Sequence, residues 1–143
     1  MLMLADLAAD AGAALAYSAV GIVLMAVGFG VVDLLTPGDL RAQIWIERNS
    51  NAAILLASNL FGVGIIVAVA IWTSEGKIAE ALLSSAIYGV IGLAAMAVAF
   101  VLLDALTPGD FRAVVADGEP HPAVWVTASA HVAVALVVAA GLT

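Results

Sequence analysis

Four long runs without a charged side chain constrain this chain more than any other feature. Residues 11–32, 52–72, 81–103 and 123–142 contain no Asp, Glu, Lys or Arg. Apolar stretches of about 20 residues are long enough for a helix to cross a ~30 Å hydrocarbon layer. Composition agrees: 65% of the residues are hydrophobic, 10% are charged, and the mean hydropathy is +1.20. Soluble domains carry roughly 45–50% apolar and about 25% charged residues. The expected fold is an all-α integral membrane protein with four transmembrane helices.

Taken in order, residues 1–12 form a short acidic lead-in with Asp6 and Asp10, polar or interfacial in character. Spans are expected at about 13–35, 52–72, 81–106 and 123–142. Polar connections over 36–51 and 107–122 join the first to the second span and the third to the fourth. A short turn over 73–80 joins the middle pair. No Lys or Arg precedes the first run, so it lacks the basic region of a secretory signal and is expected to persist as a helix.

The chain repeats itself. Asp33-Leu34-Leu35-Thr36-Pro37-Gly38-Asp39-Leu40-Arg41 returns as Asp104-Ala105-Leu106-Thr107-Pro108-Gly109-Asp110-Phe111-Arg112, 71 residues later. Residues 17–41 align without gaps on 88–112, and 13 of those 25 positions are identical, among them Gly21/Gly92, Met25/Met96 and Phe29/Phe100. The later parts match more weakly, through Ala52/Ala123, Ala57/Ala128, Ser58/Ser129 and Val63/Val134. The expected architecture is therefore a tandem duplication of a two-helix unit, with repeats at 13–72 and 81–143. A unit of two spans returns the chain to its starting side, so the copies are parallel rather than inverted.

Four basic residues set the expected orientation. Arg41, Arg48 and Arg112 fall in the two long connections, and Lys77 lies on the opposite side. The excess of positive charge places 36–51 and 107–122 in the cytoplasm and both termini outside.

Thr36-Pro37-Gly38-Asp39 fits a helix start, with Thr36 at the N-cap and Pro37 in the first turn. Asp39 three residues later completes a capping-box pattern. Thr107, Pro108, Gly109 and Asp110 read the same way. Leu40 and Ile44, four apart, suggest a short surface helix anchored by Arg41, Trp45 and Arg48. In the second connection, Asp117-Gly118-Glu119-Pro120-His121-Pro122 should end any helix early.

Asp33 and Asp104 sit just inside their span ends. Each is expected to accept hydrogen bonds from the following turn or to pair with Arg41 or Arg112; ion or proton handling is the alternative. Asn59 and His131 are the deep polar residues, and Thr127 shares a helical face with His131. They serve either as hydrogen-bonding glue between helices or as a polar path. A single His with no neighbouring Cys, His or carboxylate is a weak metal signal. Gly21 and Gly28, with Tyr17, mark a packing seam on the first helix, and Gly62 and Gly64 extend it on the second.

Cysteine is absent, which excludes disulfides and thiolate metal sites, and the net charge of −7 argues against nucleic acid as a partner. No phosphate loop, nucleophile motif or carboxylate–histidine metal spacing is present. Neither catalysis nor a cofactor is expected.

The duplicated two-helix unit, the repeated Asp-x-Leu-Thr-Pro-Gly-Asp-x-Arg and Asn51-Ala52-Ala53 resemble the bacterial membrane proteins grouped as domain of unknown function 350, the YjfL-like family. The resemblance covers nearly the whole chain and implies a four-helix inner-membrane protein with no assigned activity. The second copy departs from the pattern, with Pro122 where the first has Asn51. The leading functional expectation is a scaffold or accessory subunit in the bilayer, forming a homo-oligomer or serving a membrane or cytoplasmic partner protein. The rival is an oligomeric ion or small-solute channel or carrier, with Asp33 and Asp104 near its path on a pseudo-twofold axis.

Overall fold

A computed structural model describes all of residues 1–143. The chain is entirely helical, with no strand. Its elements are α1 (Leu2–Leu35), α2 (Leu40–Trp45), α3 (Ser50–Thr73), α4 (Ile78–Leu106), α5 (Phe111–Asp117) and α6 (Pro122–Ala140). The helices α1, α3, α4 and α6 are long and apolar enough to span a membrane. Helices suit this solvent because each satisfies its own backbone groups where water is absent. The acidic lead-in is helical too, since α1 begins at Leu2, and every residue of 1–12 is exposed.

No charged side chain is fully buried, and exposed Ile22, Phe61, Ile91, Val101 and Val137 clothe the outside. That inverts the usual order of a soluble domain and suits a lipid environment. Exposed Trp45 and Trp125 ring the end that carries the long connections, and exposed Trp72 marks the other, where indole rings favour the headgroup level.

α3 and α4 form the centre of the bundle. Each packs against the other and against both α1 and α6, which lie on opposite sides of the central pair. Glycines allow the close approaches. A Cβ on Gly89 would strike Leu24, and one on Gly28 would come within 3.2 Å of Leu93, so α1 and α4 run side by side in the same direction. A Cβ on Gly62 would lie 3.0 Å from that of Ala135. With Ser58 beside His131 one turn earlier, α3 and α6 are also parallel neighbours, while α3 and α4 are antiparallel, Gly62 lying against Met96 and Ile66 against Gly92.

Two apolar clusters fill the interior. The one at mid-bundle holds Leu24, Val63, Val67, Leu93 and Met96. The other lies at the connection end, where α2 and α5 turn inward: Leu40 and Phe111 insert beside Val32, Leu55 and Phe100. The Phe100 and Phe111 rings stack at a tilt, their centroids 5.6 Å apart, a favoured aromatic geometry. The short helices are plugs as much as surface anchors.

One local expectation is corrected. Thr36 is not the N-cap of α2; its N–H donates to Val32 O at 3.0 Å, so it closes α1. Asp39 is the cap, accepting from Arg41 N–H at 3.0 Å and Ala42 N–H at 3.4 Å. Likewise Thr107 closes α4 and Asp110 caps α5, accepting from Ala113 N–H at 3.2 Å. Gly38 and Gly109, at φ +90° and +94°, reverse the chain between the two caps. Only glycine adopts that conformation freely, so the first helix must end before the cap of the next, and Thr-Pro-Gly becomes the hinge. α5 stops at Gly118, also left-handed at φ +83°, as the sequence requires.

Candidate functional site: a buried polar junction

Polar side chains gather at two depths. Near the connection end, α3 starts at a cap of its own: Asn49 Oδ1 accepts from Ala52 N–H at 3.1 Å. The same side chain donates through Nδ2 to Val115 O at 2.7 Å, which ties α3 to α5. Asn51 is buried and clasps the second connection from both sides. Its Nδ2 donates to Glu119 O at 2.6 Å, and its Oδ1 accepts from His121 N–H at 3.3 Å. Pro122 stands at the matching place in α6, whose cap is His121, with Nδ1 accepting from Ala123 N–H at 3.1 Å. The clasp therefore exists once, and it runs from the first connection to the second.

Deeper in, Asn59 of α3 and His131 of α6 are both buried. They border one small cavity of about 10 Å³, shared with Val32, Leu55, Met96 and Phe100. That volume is at the lower limit for a single water molecule. Ser58 Oγ lies 2.9 Å from His131 Nδ1 and 2.9 Å from Leu55 O. If the hydroxyl proton goes to Leu55 O, the imidazole Nδ1 carries a proton and donates to Ser58 Oγ. Asn59 Nδ2 points at Met96 Sδ at 3.8 Å, a weak bond from α3 to α4. Its Oδ1 has no protein partner and abuts Gly28, where a Cβ would come within 2.7 Å. Thr127 is buried on the His131 face as expected, but its hydroxyl turns back to Ala123 O at 3.3 Å and reaches no other helix.

The repeated acids do not join this junction. Asp33 is half-buried and accepts from Leu40 N–H at 3.0 Å, the turn bond expected of it. Asp104 is half-buried as well, yet Phe111 N–H makes no equivalent bond. Neither acid pairs with an arginine. The one ion pair is exposed Lys77 with Glu80, at 3.8 Å. Arg41 is exposed, whereas Arg112 Nε donates to Leu35 O at 2.8 Å and ties α5 to the end of α1. The cavity that Asn59 and His131 border is lined by neither Asp33 nor Asp104. Nor does a twofold axis relate the halves: α3 packs on α4, but no comparable packing joins α6 to α1.

Sequence reasoning did not single out Ser58, Gln43 or Asn49. Gln43 is buried and donates through Nε2 to Pro37 O, fastening the hinge from inside. Asn49 was legible in principle, because Asn immediately before an apolar run is a strong cap signal.

The chain resembles known proteins over almost its full length. The family model for the domain of unknown function DUF350 matches residues 3–142. A UPF0719 transmembrane protein of Mycobacterium bovis is 40% identical over 127 residues, covering 89% of this chain and 84% of the relative. A Mycobacterium tuberculosis protein of the same description matches to the same extent. One from Mycolicibacterium paratuberculosis is 34% identical over 131 residues, covering 92% of this chain and 87% of its own. No solved structure matches. With the family model spanning the chain and four helices fit to cross a bilayer, this is a transmembrane member of the DUF350 family.

Proposed function

We propose that this chain is a non-catalytic scaffold or accessory subunit of the bacterial plasma membrane, working as a homo-oligomer or with a membrane or cytoplasmic partner. It is built as a tandem duplication, with repeats at 13–72 and 81–143, connections 36–51 and 107–122 in the cytoplasm, and both termini outside. The duplication is supported by the 71-residue sequence repeat and by the matching hinge: Gly38 and Gly109 at similar φ, with Asp39 and Asp110 as caps. The observation that carries the scaffold reading is where the deep polar side chains point. Ser58 with His131 joins α3 to α6, and Asn59 with Met96 joins α3 to α4. Such bonds hold transmembrane helices together.

The test is flux through reconstituted liposomes, followed with proton and monovalent-cation dyes. Wild type is expected to give no flux above empty vesicles. Replacing His131 and Asn59 by Ala is expected to lower the amount of assembled protein in the membrane. Flux that the folded Asp33→Asn, Asp104→Asn double variant abolishes would sink the scaffold reading and install an oligomeric channel in its place.

A further inference from the structure

The two halves of the chain meet through one used face each, and each keeps an equivalent face bare. α4 buries Gly89, Leu93, Met96 and Phe100 against its neighbours. Seventy-one residues earlier stand Ser18, Ile22, Met25 and Phe29 on α1. Met25 and Phe29 are the same residues as Met96 and Phe100, but Ser18, Ile22 and Met25 are exposed, Ile22 by 65%. α1 covers this α4 face at Gly89 and Leu93, and α3 covers it farther along at Met96; their counterparts in the repeat are α4 and α6. Within the chain α6 is on the far side of the bundle from α1.

Two glycines sharpen the point. Gly92 is needed within the chain, because a Cβ there would strike Ile66 Cδ1, and Gly62 is pressed against Ala135. Gly21, the repeat partner of Gly92, has only Val67 at 4.0 Å, and Gly64 has nothing within 4 Å. Both line an open groove of about 420 Å³ between α1 and α3, and Gly64 also lines a neighbouring one of about 600 Å³ beside Met25. Nothing inside one chain requires either residue to be glycine.

We infer that the α1–α3 groove receives the α4–α6 edge of a second copy of this chain, head to tail, repeating between chains the interface that joins the two halves within one. The inference rests on the duplication reading. Shifting each intrachain pair by 71 residues gives the contacts. Ile66 against Gly92 becomes Val137 of one copy, itself 72% exposed, against Gly21 of the next. Gly62 against Ala135 becomes Ala133 against Gly64, a small-to-small approach once more. Because the relation does not close on itself within the chain, successive copies form a ring or a row rather than a face-to-face pair.

The absence of native cysteine makes the test direct. Gly64→Cys with Ala133→Cys, oxidised in native membranes by copper–phenanthroline, should give a ladder at multiples of the 14.4 kDa chain. Either substitution alone should give monomer, and the two single variants expressed together should give a dimer and nothing larger. The reference is Gly62→Cys with Ala135→Cys, whose disulfide should form inside one chain without changing its mass. If the reference pair closes but the Gly64/Ala133 pair stays monomeric, the head-to-tail contact is overturned and the intrachain packing stands. A dimer from Gly64→Cys alone overturns it in favour of a face-to-face pair. Failure of both pairs removes the template interface, and with it the duplication reading and this inference together.

Discussion

Two nine-residue phrases, alike at seven positions, make the same hinge and then make different contacts. At 33–41, Asp33 holds Leu40 N–H, Thr36 is buried, and Arg41 reaches into solvent. At 104–112, Asp104 has no such bond, the Thr107 hydroxyl turns to Leu103 O at 2.6 Å, and Arg112 crosses to Leu35 O. The hinge is local chemistry: a left-handed glycine between a helix end and an Asp cap. The contacts depend on what lies beside the hinge. The second connection reaches the end of α1 and the start of α3, and Asn51 clasps it there.

That asymmetry can be broken in steps, each read by unfolding in mild detergent. Phe111→Ala removes the larger plug and its stack on Phe100, and should cost about 3–5 kcal/mol, more than Leu40→Ala at the matching place. Equal losses would show that the two plugs are interchangeable. Asn51→Ala leaves Glu119 O and His121 N–H without their partner and should cost about 2–3 kcal/mol. Pro122→Ala, at the corresponding position, should move the midpoint far less, and a comparable drop would dissolve the contrast. Gly28→Ala forces Asn59 Oδ1 and Leu93 aside, at a cost of about 1–3 kcal/mol, whereas Gly64→Ala in detergent-dispersed monomer should change little. Asp33→Ala should cost about 1 kcal/mol, as loss of a cap does, with Asp104→Ala close to neutral. The reverse order would mean that the single turn bond at Asp33 contributes nothing.

Much of this was readable in advance. The four spans, the early end of α5 at Gly118 and the turn bond at Asp33 follow from runs of apolar residues and from turn chemistry. The junction was half legible. Asn59 and His131 stood out as the deepest polar residues, but Ser58 did not, because a serine that bonds its own helix looks the same in sequence as one that bonds another. Thr36 was misplaced as a cap because Thr-Pro is a good helix start. Only the left-handed glycine that follows shows that the helix begins later.

The sequence by itself determined that this is a four-span helical membrane protein with a repeated hinge, since both follow from local solvation and backbone limits. Only the tertiary structure decided that α3 and α4 take the centre, that Asn51 clasps the opposite connection, and that α1 is left with a bare face. Those outcomes rest on which neighbour covers which face, and two segments that share 13 of 25 residues cannot state in advance which of them will be enclosed.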